Sequence, residues 1–86
     1  MNYRERQAIW VKSNNIKVGD RLKISQEDIP DDWNNSWESE MTEEVGCIRE
    51  VIIIAPEYGI GLGSWSYPYT SLQKVDVKAN SNIRIL

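Results

Sequence analysis

With 86 residues, a net charge of −3 and no histidine, the chain has room for one small domain and lacks the commonest general base and metal ligand. Nucleophilic catalysis, a bound metal and a cofactor are therefore not expected, and the acidic balance argues against duplex nucleic acid as a partner. There is no apolar run of about 18 residues for a membrane span, no signal-peptide core, and only one cysteine, Cys47, so a soluble protein of a reducing cytosol, with no membrane partner, is expected.

Residues 2–13 read as a short helix. Asn2 is placed to cap it, Tyr3, Ala8, Ile9 and Trp10 give it an apolar side, and Ser13-Asn14-Asn15 ends it. Ile16 to Ile24 is a turn at Gly19-Asp20 entering a strand, with Leu22 and Ile24 inward and Arg21 and Lys23 outward. The phrase apolar-x-Gly-Asp-x-apolar-x-apolar is common where SH3-like barrels begin a strand.

Residues 25–44 form a long acidic insertion. Between Lys23 and Arg49 there are eight acidic residues and no basic one, so that segment carries −8 and the remainder +5. A solvated acidic loop accounts for the segment, and the positive remainder leaves room for a phosphate-binding pocket. Pro30 breaks the first part into loop. Trp33, Trp37 and Met41 then recur at i, i+4, i+8, which on a short helix puts them on one face. They either cover the end of the core or lid a ligand. In the second case Asn34, Asn35 and Ser36 are placed to read a base edge or a ribose.

Val45-Gly46 turns into the central stretch. Val51 to Ile54 are four consecutive β-branched residues, as in a strand buried on both faces. Pro56 to Gly59 carries turn chemistry, and Gly59-Ile60-Gly61-Leu62-Gly63 returns as a strand with Ile60 and Leu62 inward. If the alternation continues past Gly63, Trp65, Tyr67 and Tyr69 share the bare glycine face. That floor would suit a planar ligand, or the glycines merely admit a close neighbour. Cys47, at the start of a strand with no base near it in sequence, reads as a small core residue. A 3₁₀ turn at 70–72 and a last strand at 73–76 follow. Residues 77–86 are a tail whose Ile83, Ile85 and Leu86 are expected to dock on the barrel or on a neighbouring subunit.

The whole, 1–86, reads as a single, mainly β domain. It is a small SH3-like five-stranded barrel (16–76) with a short N-terminal helical extension (1–15), a helical or loop insertion at about 27–44, and the tail. A chain of this length buries only about 60–65 per cent of its unfolded surface, and a homo-oligomer, dimer or tetramer, is expected to make up for the thin core.

The ordered set of Trp10-Val11, Asn15 to Asp20, Trp33, Trp37 and Met41, Val45-Gly46, Gly59-Ile60, and Tyr67-Pro68-Tyr69 to Leu72 resembles a group of small tailed-phage proteins. A Mib-type eukaryotic module is similar in outline. The likeness runs from about residue 9 to 76, and the group resembles the anti-CBASS sponges. The resemblance implies an oligomer in the host cytoplasm that sequesters a cyclic-nucleotide defence signal, a cyclic dinucleotide or a relative, without turning it over. Such a ligand needs aromatic faces for bases and cations for phosphates. The candidates are Trp33, Trp37, Trp65, Tyr67 and Tyr69 for stacking, Asn34 for a base edge, and Arg49 and Lys12 for phosphate. The competing reading is a protein-interaction module, or an acidic mimic of nucleic acid that blocks a host protein. A structural virion protein stays open. Paired-carboxylate hydrolysis by Glu43 and Glu44 is disfavoured, because adjacent side chains point apart.

Overall fold

In the computed structural model, which describes residues 1–75, the chain opens with helix α1 (Tyr3–Ser13). Asn2 and Glu5 form a reciprocal capping box, and Asn14 closes the helix, so both ends fall where the sequence places them. The buried stripe differs from the expected one. Tyr3 and Gln7 are buried and Trp10 and Val11 half-buried, whereas Ala8 and Ile9 are exposed.

Five strands follow: β1 (Arg21–Ile24), β2 (Ile48–Ala55), β3 (Gly59–Leu62), β4 (Trp65–Tyr67) and β5 (Leu72–Lys74). They make one antiparallel sheet in the order β4-β3-β2-β1-β5, and the protein is mainly β with a short N-terminal helix. The long strand β2 serves two ladders. Its first half pairs with β1, Arg21 opposite Glu50, and its second half pairs with β3. A 3₁₀ turn (Tyr69–Ser71) returns the chain so that β5 lies on the free side of β1. No ladder joins β4 to β5 among the described residues, so the sheet is not closed into the expected barrel. Each edge strand has three residues, and Pro68, which lacks an N–H, follows β4 at once.

The core is Leu22 and Ile24 from β1, Val51 from β2, Ile60 and Leu62 from β3, Tyr67 from β4 and Leu72 from β5. Tyr3, Ile16, Trp33 and Met41 close its ends. Three expectations are corrected here. First, β2 is not buried on both faces. A bulge between Val51 and Ile53 makes Ile52 an extra residue, so Ile52 and Ile53 both face out while Val51 stays fully buried. Second, the acidic insertion holds only a short helix, α2 (Ser39–Glu43). Trp33, Trp37 and Met41 therefore do not share a helical face. Third, Gly63-Ser64 is a hairpin turn, which resets the alternation. Tyr67 pairs with Ile60 and Trp65 with Leu62, so both aromatics stand on the core side and Ser66 shares the face of Gly61. The glycines are not a bare floor. A Cβ on Gly61 would run into the Ile53 side chain, and one on Gly59 into the Tyr67 backbone.

Helix α1 is joined to the sheet by a buried polar relay. The Tyr69 N–H donates to the Tyr3 hydroxyl at 3.2 Å, that hydroxyl donates to Gln7 Oε1, and Gln7 Nε2 donates to the Ala55 carbonyl at 2.9 Å. Burial pushes the Tyr3 phenol up to about 12, against a partial offset from the Tyr69 N–H. The expected docking of Ile83, Ile85 and Leu86 lies outside the described residues.

Candidate functional site

The eight residues singled out from the sequence separate into three places. Trp37, Tyr67 and Arg49 converge. Tyr67 is fully buried, and the Trp37 ring meets it edge-on at 5.6 Å and 77°. Trp37 is half-buried. Its Nε1–H donates to Thr42 Oγ1 at 2.8 Å, and that hydroxyl donates to Glu27 Oε1 at 3.0 Å. Two elements position this group: β4 carries Tyr67 inward opposite Ile60, and the non-helical segment that enters α2 lays Trp37 against it.

Arg49 faces the same side of the sheet as Leu22, its register partner, and its Nε–H donates to Glu44 Oε1 at 2.9 Å. The phenol of Tyr67 is pushed up to about 12. Burial is the main cause, Glu44 and Cys47 raise it further, and the Arg49 guanidinium opposes. Among the described residues, Tyr67 Oη and Thr70 Oγ1 are the buried side-chain oxygens without a hydrogen-bond partner. A buried hydroxyl left unpaired costs about 1–3 kcal/mol. The Tyr67 ring therefore lies edge-on to an indole, and its hydroxyl stands, among the described residues, as an unused donor and acceptor in the field of an Arg–Glu pair. Trp65 is half-buried against the core, on the side of Leu62.

Tyr69 belongs to a second place. Its ring is 5.5 Å from Tyr3 and 5.9 Å from Trp10, and Arg6 Nε–H donates to its hydroxyl at 3.3 Å. A groove of roughly 350 Å³ opens there, lined by Met1, Arg6, Ile9, Trp10, Asn14 and Tyr69 among others. Its guanidinium is already committed. Arg6 holds Asp32 in two bonds, at 2.7 and 3.2 Å, which raises the Arg6 pKa and keeps the Asp32 carboxyl below its ordinary value of 3.8. Asn34 lies near this pair, in a cleft of roughly 330 Å³ with Asn2, Arg4, Asp32 and Glu57.

The remaining two residues stand apart from ligand geometry. Trp33 is a core residue whose Nε1–H donates to the Tyr58 carbonyl at 2.9 Å. Lys12 is exposed on α1, beside a groove floored by Ala8, Val11 and Ile54. The sequence alone points to no binding role for Thr42, weighs Glu44 only as half of a disfavoured carboxylate pair, and places Arg6 and Trp10 in the helix, Trp10 also in the resemblance. Tyr3, Gln7 and Trp10 follow the i, i+4, i+7 spacing of one helix face, and that spacing could have marked the stripe. The pairing of Arg6 with Asp32 has no local signal, since the two are far apart in the chain. Among the described residues no group of three or more acidic or cysteine side chains is placed to hold a metal.

No protein family matches this chain, and neither a curated protein nor a solved structure matches it. The resemblance to phage sponges therefore rests on the ordered residues alone.

Proposed function

We propose that the protein is a small binding module that captures a cyclic-nucleotide signal without turning it over, in the host cytoplasm. The observation that carries the reading is the buried Tyr67 hydroxyl, unpaired among the described residues, on a ring that Trp37 meets edge-on and in the field of Arg49 and Glu44. Trp37 turns aside to admit a base and then stacks on it, which is worth about 1–3 kcal/mol. The Tyr67 hydroxyl bonds the base edge. Arg49 leaves Glu44 for a phosphate oxygen, exchanging one charge-assisted bond for another. The strand order, with β5 returning to β1 after a 3₁₀ turn, supports an SH3-like reading of the sheet.

Thermal-shift titration against cyclic di- and trinucleotides, cyclic mononucleotides and ADP-ribose tests this. A hundredfold excess over Kd adds about 2.7 kcal/mol to stability, a shift of several degrees for so small a domain. Tyr67→Phe is expected to abolish that shift while leaving the fold intact. Trp10→Ala, in the other aromatic groove, is expected to leave it unchanged. No shift with any nucleotide, or full binding by Tyr67→Phe, sinks the proposal. A second reading, a protein-interaction module, draws on the exposed Ile52 and Ile53 of β2. It predicts no nucleotide shift at all.

A further inference from the structure

We infer, on the nucleotide reading above, that the base taken at this site is guanine and that Glu44 selects it. That reading uses Glu44 only as the anchor that Arg49 leaves. Glu44 is the C-cap of α2: its backbone N–H donates to the Met41 carbonyl at 3.0 Å, and its own carbonyl accepts the Cys47 N–H at 2.9 Å. Its main chain is therefore held on both sides. The side chain is half-buried, and Oε1 accepts the Arg49 Nε–H at 2.9 Å. The carboxylate stands near enough to Tyr67 to push the phenol up, as Cys47 does from the same turn.

Binding upsets this balance. When Arg49 turns to a phosphate, Glu44 loses its ion-pair partner, and among the described residues it has no other. The cations of the neighbouring strand do not replace it. Arg49 stands opposite Leu22, whereas Arg21 and Lys23 flank Leu22 and so project from the other face of the sheet. A half-buried carboxylate stripped of its partner is unfavourable, so a ligand that draws Arg49 away has to bring donors of its own. An ionised carboxylate only accepts. The pairing edge of guanine offers two adjacent donors, the ring N–H and the exocyclic amino group, parallel to each other and matched to the two carboxylate oxygens. Adenine and cytosine set a ring-nitrogen lone pair beside their amino group, and that lone pair would face an oxygen of Glu44. Uracil has a single N–H between two carbonyls. Beside its ring N–H guanine also carries a carbonyl oxygen. The Tyr67 hydroxyl, which stays protonated at neutral pH and has no partner among the described residues, is the donor for it. One base edge thus satisfies the carboxylate and the phenol together.

Isothermal titration calorimetry of the full chain tests it, with the guanine and adenine members of the cyclic mono-, di- and trinucleotides, cyclic di-inosinate and ADP-ribose as probes. Within a class the guanine compound is expected to bind about ten- to a hundredfold more tightly than the adenine one, the discrimination of a good two-bond contact to a base. Cyclic di-inosinate keeps the ring N–H and the carbonyl but lacks the amino group, and is expected to fall between the guanine and adenine dinucleotides. Glu44→Gln is expected to remove the preference with an unchanged circular-dichroism spectrum. Glu43→Gln, its exposed neighbour on α2, is expected to keep it. Adenine bound as tightly as guanine, or a preference that survives Glu44→Gln, overturns selection by Glu44 and leaves nucleotide capture standing. So does a wild-type chain that binds the inosine compound as tightly as the guanine one. If none of the probes binds, selection and capture fall together.

Discussion

Tyr67 buries a whole phenol and, among the described residues, leaves its hydroxyl unpaired, which most folds avoid. The ring contributes burial against Ile60, and the oxygen subtracts from it. Tyr67→Phe keeps the ring and removes the unpaired oxygen. It is expected to raise the unfolding free energy of the unliganded protein by up to about 1 kcal/mol, read by urea denaturation. An alkaline titration followed by phenolate absorbance gives a second measure. Tyr3 and Tyr67 are both held up to about 12, so the variant is expected to lose one of two late-titrating phenols. A destabilised variant would mean that a bound water or another unseen partner satisfies the hydroxyl. Nothing in the sequence marked this residue as unpaired, because hydrogen-bond satisfaction depends on what the fold brings near. What could be read was the residue type. The face of the aromatic run is not legible, because the two-residue turn at Gly63-Ser64 breaks the alternation that the glycine strand sets up.

At the scale of elements, the helix and the strands sat almost where composition placed them. Asn2 and Asn14 bound α1, Gly19-Asp20 and Pro56 to Gly59 made the turns, and Leu22, Ile24, Ile60 and Leu62 faced inward. These are local signals of capping, turn chemistry and alternation. The bulge at Ile52 was not legible, since an extra residue shows only against a partner strand. The tryptophan spacing misled for a related reason: a helical period counts only where the backbone is helical, and Pro30 to Glu38 is not. The attachment of α1 was also hidden, because it runs through a buried glutamine. Gln7→Ala removes the relay and leaves the Tyr3 hydroxyl and the Ala55 carbonyl without their partner. The expected loss is about 1–3 kcal/mol. Hydrogen exchange is expected to quicken in α1 while the β1–β2 ladder stays protected.

Across the whole molecule, the charge division seen in the sequence becomes a contact. The helical extension carries Arg6 and the acidic insertion carries Asp32, and the pair joins the two. The sign of its pH dependence follows from the carboxyl. Asp32 is held below 3.8 by Arg6, so its contribution is fully present above the ordinary carboxylate range and is lost as pH falls through its own lower value. Both side chains are partly open to water, so the effect is small and is screened by salt. At low ionic strength, Asp32→Asn is expected to be less stable than the wild-type chain at pH 6, and the gap is expected to close in strong acid. A gap independent of pH would assign the loss to packing instead of charge.

The relay through Gln7 also sets an order of events. It ties a residue near the start of the chain to Ala55 and, through Tyr3, to Tyr69, separations of 48 and 66 residues. Helix α1 thus has no permanent docking place until the chain as far as Tyr69 has been made. Loop closure over such distances is slow and late. The helix is expected to latch after the sheet has formed, so Gln7→Ala should hasten unfolding and barely slow refolding.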